Sequence, residues 1–180
     1  MKGKKLAFID IETTGTNPYK HEITEIGCLL AKQNDDGTFS TLEEFEVKVK
    51  PEHIETAEPE ALRINGYDEA QWLFAHTQTE ALTLVSQKCE GAVMVAQNVS
   101  FDYAFLAAAF GKYEVKDPFF YAKLDTIPMA YLRFRNDPTM DSFTLRALCE
   151  KYGIKNDKAH TAMADIRATF EVFQKIMKAK

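Results

Sequence analysis

Residues 6 to 15, LAFIDIETTG, constrain this chain more than any other stretch. Short apolar runs bounded by turn residues form buried strands, so the segment reads as a central strand of a sheet. Two acids, Asp10 and Glu12, interrupt it. On a strand, residues two apart point to the same face, with alpha carbons about 7 Å apart. Like charges at that spacing repel and raise each other's pKa. Burying either carboxylate is costly unless it is paired, hydrogen-bonded or bound to a metal. Hard divalent ions such as magnesium or manganese suit carboxylate oxygens. The plain alternative is two acids at a strand end facing water. Thr13, Thr14 and Gly15 follow at once. Glycine permits a tight turn and close approach by a ligand. Hydroxyls and backbone N–H groups there suit a phosphate or sugar.

The rest of the chain supplies the sheet. ITEIGCLLAKQ (23–33) reads as a second strand, NDDG as a hairpin turn and EFEVKVK (44–50) as a half-solvated third strand. In the last, Phe45, Val47 and Val49 share one side, and Glu44, Glu46, Lys48 and Lys50 the other. A helix is expected over 77–88, a buried strand over 92–98, then an apolar-faced helix, and a last strand over 119–126. Asp125 or Thr126 caps the helix that follows. DSFTLRALCEKYG reads as a capped helix with Gly153 just past its end. The final helix runs from about 160 to 178, with Ala162, Ile166, Phe170, Phe173 and Met177 as its apolar stripe. The fold class is α/β: a mixed central sheet of three antiparallel strands plus parallel βα units, flanked by helices. The chain has 180 residues, which suits a single domain over 1–180.

The net charge of −5 argues against a protein that coats long nucleic acid, because such binders carry a basic face. It leaves room for an enzyme that grips one chain end, where bound divalent metals supply positive charge. Cys28, Cys89 and Cys149 are far apart and form no CxxC pattern, so they read as reduced core cysteines of a cytoplasmic protein. No apolar run is long enough to cross a bilayer, and the one at the start is too short for a signal peptide.

Two further polar clusters stand out. QNVSFD (97–102) sits where a buried strand gives way to a helix, a place where functional residues gather. Asp102 there has a bland reading as a helix-end charge, and Asn98 as a turn residue. HTAMAD (160–165) opens the last helix. His160 is suited to activating water near neutral pH. Periodicity leaves the facing of Asp165 open, one step from Ile166 of the apolar stripe. Asp125, Asp137 and Asp141 read as caps and turns.

In this order, DIETTG, NVSFD and HTAMAD resemble the three motifs of the DEDDh, or DnaQ-like, 3′–5′ exonucleases. Asp10, Glu12, Asp102 and Asp165 match the four acids, and His160 matches the histidine five residues before the last one. ALRING (61–66) resembles the segment that lies near the terminal base, and the likeness runs over about residues 4–177. The resemblance implies an RNase H-like fold and hydrolysis with two divalent ions, Mg2+ or Mn2+. It implies that Asp10, Glu12 and Asp165 hold the first ion, that Asp10 bridges to the second, and that Asp102 helps through water. His160 would take the proton from the attacking water. Thr13, Thr14, Gly15, Leu62, Asn65, Asn98 and Phe101 are the expected substrate contacts. Substrates would be 3′ ends of single-stranded DNA or RNA, released as 5′-mononucleotides. The motif spellings resemble the proofreading epsilon subunit of bacterial DNA polymerase III, which favours DNA and makes a DNA polymerase a candidate partner. The chain stops at its last helix, which favours a stand-alone enzyme. The alternatives are an RNA trimmer resembling oligoribonuclease or ribonuclease T, and a non-catalytic binding module. Two departures bear on substrate contacts: Gln97 and Asn65 stand where many relatives have histidine.

Overall fold

The computed structural model describes residues 3–156 and 161–178. His160 lies outside the described residues. Five strands form one mixed sheet: β1 (Leu6–Thr13), β2 (Ile23–Gln33), β3 (Phe39–Lys48), β4 (Val93–Ala96) and β5 (Leu124–Asp125), in the order β3-β2-β1-β4-β5. β1 and β2 pair antiparallel, as do β2 and β3, whereas β4 pairs parallel to β1 and β5 parallel to β4. Helices α1 (Pro59–Asn65), α2 (Gln78–Lys88), α3 (Val99–Lys112), α4 (Thr126–Phe134), α5 (Leu145–Tyr152) and α6 (Ala162–Lys178) complete the fold.

Alternation along β1 sorts its side chains between two cores. Ala7, Ile9 and Ile11 pack with Leu82 and Val85 of α2 and Phe105 and Leu106 of α3. Leu6 and Phe8 pack on the other face with Ile166, Phe170 and Phe173 of α6. Phe8 meets Phe170 and Phe173 edge-on, with ring centroids at 4.9 and 5.2 Å, a favoured aromatic geometry. Asp10 and Glu12 continue the face of Leu6 and Phe8, which aims both toward α6.

Local chemistry sets most boundaries where the sequence placed them. The NDDG turn closes through Asn34 N–H donating to Thr38 O at 2.8 Å, with Gly37 at φ 84°. Thr77 and Glu80 form a reciprocal capping box at the start of α2. Thr144 caps α5, and Gly153 ends it at φ 66°. Three expectations need correction. The strand expected over 119–126 is only Leu124–Asp125, because its partner β4 is itself four residues long; before that, a single bond from Phe120 N–H to Ala92 O ties the segment down. The third strand begins earlier, at Phe39, and Val49 falls beyond it as an isolated bridge to His76. Met177, the last residue of the expected stripe, is 48% exposed and lines a surface pocket with Leu6, Phe39 and Phe173 rather than sitting in the core.

Candidate active site

The site forms where β1 and β4 part. The two strands pair only from Leu6–Val93 to Phe8–Val95. Beyond that point Asp102 of α3 stands in for the missing strand: Ile11 N–H donates to its Oδ1 at 3.1 Å. Chain connections leave β1 and β4 on opposite sides here, the switch point at which open α/β sheets bind ligands. Asp102 is 3% exposed.

The strand turns into α3 sharply. Asn98 adopts left-handed backbone, φ 66° and ψ 56°, and its own side chain caps nothing. Asp125 of β5 braces the turn instead, accepting N–H bonds from Asn98 (3.2 Å) and Val99 (3.1 Å) while it caps α4 through Ile127 N–H (2.8 Å). Asp125 is thus a cap as expected and also a brace for the segment carrying Asp102, a role the sequence did not signal. Gln97 binds inward, donating to Phe143 O at 2.8 Å and accepting from the Thr126 hydroxyl.

On the other face, the first turn of α6 brings in Asp165. One carboxylate oxygen from each of Asp10, Glu12 and Asp165 lies within 4.8 Å of the other two. Asn156 Nδ2 donates to Asp165 Oδ1 at 2.6 Å. Among the described residues, no ion pair reaches Asp10, Glu12 or Asp102. The electrostatics follow. Burial pushes Asp10 well above the usual carboxylate range, and the charges of Asp102, Glu12, Asp165 and Glu25 push it further. Glu12 rises to about 8, first through burial and then through Glu25, Asp165 and Asp102. Asp102 rises to about 8 through burial, against the lowering pull of the Ile11 N–H. Crowded carboxylates facing one another suit a divalent cation, which would turn their repulsion into coordination. The donor set, oxygen only, suits a hard ion.

The TTG turn is wired inward. The Thr13 hydroxyl donates to Gly15 O at 2.7 Å, and the Thr14 hydroxyl accepts from Glu22 N–H at 2.9 Å. Against the expectation that they meet a phosphate or sugar, both hydroxyls close the turn. A Cβ on Gly15 would lie 2.3 Å from the His21 ring, so glycine is required there for close packing. Helix α1 is fastened to this turn by Glu58 N–H to Thr14 O (2.7 Å) and Asn65 Nδ2 to Thr13 O (3.0 Å). Asn65 Oδ1 accepts from Tyr67 N–H, so both ends of its amide are engaged within the chain. Leu62 is half-buried beside it. Phe101 packs on Phe105, ring centroids 5.1 Å apart, and is half-buried against the core.

Elsewhere, Glu22, Glu52 and His53 also bring three ligand atoms within 4.8 Å. There the Glu22 carboxylate accepts N–H bonds from Glu52 and His53 at 2.7 and 2.8 Å and faces Lys112 at 3.4 Å. A lysine already balances that charge, and the cluster ties loops together. Asp137 accepts from Thr139 and pairs with Lys151 at 2.7 Å, a turn as expected.

A mixed sheet with a carboxylate cluster at its switch point defines an RNase H-like nuclease class. The chain belongs to the exonuclease family of ribonuclease T type: the family model, described as Exonuclease, matches residues 7–173. It is a DEDDh-type 3′–5′ exonuclease, in a divalent-metal-dependent family. Ribonuclease T of Baumannia cicadellinicola is 31% identical over 179 residues, covering 92% of this chain and 79% of that protein. Ribonuclease T of Shewanella denitrificans is also 31% identical, covering 92% and 76%. Among solved structures, E. coli exonuclease I in complex with a dT13 oligonucleotide superposes with a TM-score of 0.81 at 21% identity, over 97% of this chain and 41% of that one. Exonuclease I of Methylocaldum szegediense gives a TM-score of 0.81 at 22% identity, over 98% and 41%. This chain spans about two-fifths of those exonuclease I chains, and their likeness establishes the fold.

Proposed function

We propose that this enzyme removes 5′-mononucleotides from the 3′ ends of single-stranded nucleic acid, with two magnesium or manganese ions, and that residues 1–180 act as one exonuclease domain. The observation that carries the reading is the convergence of Asp10, Glu12 and Asp165 from two elements, with no lysine or arginine paired to Asp10 or Glu12 among the described residues. The residues fit the ions: Asp10, Glu12 and Asp165 would hold the first, Asp10 would reach the second, and Asp102 would contribute through water. When bound, such ions activate a water and stabilise the attacking and leaving oxygens of an in-line displacement. The chain's own groups do the rest. Asp102 and Asp10 fix the floor of the site from α3 and β1. His160 is our assignment for the base that takes the proton from the attacking water. The backbone at Gly15, Leu62 on α1 and Phe101 on α3 are our assignment for contacts to the terminal nucleotide, with Asn98, Asn65, Thr13 and Thr14 shaping the surfaces behind them.

The motif spellings favour DNA, with a DNA polymerase as the fitting partner on that branch. The ribonuclease T relatives favour a second reading, 3′ trimming of RNA. Three free, buried cysteines suit a reducing compartment, and we place the protein in the cytoplasm. The test is a time course on 5′-labelled single-stranded DNA and RNA of one sequence, with Mg2+, beside Asp10→Ala. We expect a ladder shortening from the 3′ end that the variant lacks, and the faster substrate names the branch. Two intact bands with either metal would sink the reading.

A further inference from the structure

The strand next to β1 carries the other half of the site's support. In the β1–β2 register, Asp10 lies opposite Gly27 and Glu12 opposite Glu25. Residues directly opposite on an antiparallel pair share a face, so Gly27 and Glu25 lie on the side that α6 covers. Each is a seat for that helix. Glu25 is 7% exposed, and its Oε1 accepts the N–H of Ala162, the first residue of α6, at 3.2 Å. The first N–H groups of a helix have no partner within it, and negative charge is favourable there. At Gly27 there is no room for a side chain: a Cβ would lie 2.6 Å from Ile166 Cδ1 and 2.9 Å from the Ala162 Cβ. The helix therefore rests directly on the strand backbone opposite Asp10, and is hydrogen-bonded to the strand opposite Glu12.

Asp165 lies within the turn between these two contacts, three residues after Ala162 and one before Ile166. Where its carboxylate stands relative to Asp10 and Glu12 depends on how that turn is seated. Glu25 is not one of the three residues whose ligand atoms converge. Glu46 and Lys48 face it from β3, Glu12 from β1, and the Ala162 N–H from α6. A carboxylate beside so many acids is unfavourable in itself; Lys48 offsets part of that charge, Glu46 shares a side-chain hydrogen bond with it, and the Ala162 N–H is the contact through which it holds the start of α6.

We propose that Glu25 is a positioning residue: its carboxylate anchors the first turn of α6 and, with the bare backbone of Gly27, sets the carboxylate of Asp165 against Asp10 and Glu12. The inference rests on the exonuclease reading for its kinetic arm only. Glu25→Gln keeps the volume and an oxygen that accepts the Ala162 N–H, whereas Glu25→Ala removes the acceptor. A misplacement of about 1 Å in a catalytic group costs on the order of 10²-fold in rate, so Glu25→Ala is expected to lower kcat by about 10- to 100-fold with KM within about threefold. Glu25→Gln is expected to keep kcat within about threefold. In metal-free protein, hydrogen exchange at the Ala162 amide should speed up about tenfold or more in Glu25→Ala and stay unchanged in Glu25→Gln.

Unchanged kcat in Glu25→Ala, or unchanged Ala162 exchange, would overturn the proposal. So would equal damage in both variants, which would make charge rather than the hydrogen bond the working feature. Should Glu25→Ala fail to fold, Gly27→Ala decides, since it displaces the helix with the carboxylate in place. It should lose kcat and keep KM, and a fully active Gly27→Ala would overturn the proposal. A wild-type chain without exonuclease activity would sink the functional reading, and the exchange arm would still judge the anchor.

Discussion

Asp10 shows how one residue sets both chemistry and stability. Its carboxyl is pushed up by burial and by four neighbouring acids. Asp10→Asn removes one ionisable group from that crowd at nearly constant volume. Without metal at pH 8, its melting temperature should exceed that of the wild type by about 3 °C or more, on the scale of 2–4 °C per kcal/mol for a chain this size. Its exonuclease activity should fall by about 10³-fold or more, because several kcal/mol of charge stabilisation depend on the ion it would help hold. Calorimetry with a chelator present, beside a labelled-strand assay with Mg2+, checks both; a variant less stable than wild type would refute the electrostatic account. Some of the site was legible at this scale. Asp10 and Glu12 announced themselves by interrupting an apolar strand, and Asp102 by opening a helix beside a second motif. The motif order added Asp165, whose facing periodicity could not give. That facing is set by α6 resting on Gly27, a contact between segments distant in sequence. Glu25 carries the same signal as Asp10, an acid inside an apolar strand, but belongs to none of the three motifs. The hydroxyls of Thr13 and Thr14 were expected to face substrate, but turn closure claimed them.

Elements with their own end signals were the most legible. The capping box of Thr77 and the left-handed Gly153 need only local sequence, and helices α2 and α5 begin and end close to where that chemistry places them. β5 was less legible, because its length depends on how far β4 runs. The turn into α3 was hidden too: its brace, Asp125, comes from a different strand and looks like an ordinary cap. That brace leads to a prediction. Asp125→Ala leaves the N–H groups of Asn98, Val99 and Ile127 without their acceptor. Stability should fall by about 1–3 kcal/mol, and kcat should fall as well, since α3 carries Asp102. Thr77→Ala is the control, because its capping box lies on α2, away from the acids. It should cost about 1 kcal/mol and leave kcat unchanged. Urea unfolding and steady-state rates separate the two. Equal kcat in both variants would show that the start of α3 tolerates loss of its brace.

Across the whole molecule, the carboxylates gathered around the site work against the fold. Glu12 and Asp102 ionise near 8 in the folded chain, against 4.5 and 3.8 in the absence of structure, and Glu25 near 7, against 4.5. The folded state therefore holds more protons than the unfolded state through this window. Stability then falls as pH rises: the contribution is present in full below about pH 4 and is lost as pH climbs through 7 to 8. A divalent ion bound only by the folded state reverses the trend, because it replaces those protons and adds stability that grows with its concentration. Metal-free protein should thus lose melting temperature steadily from pH 5.5 to 8.5, and saturating Mg2+ should restore most of it, with the largest gain at the alkaline end. Activity should climb over the same range as metal displaces protons from the acids. Thermal melts on a pH grid, with a chelator and with Mg2+, test the linkage. Parallel curves with and without the ion would mean that the acids titrate independently of metal, and the cluster would lose its claim to be a metal site.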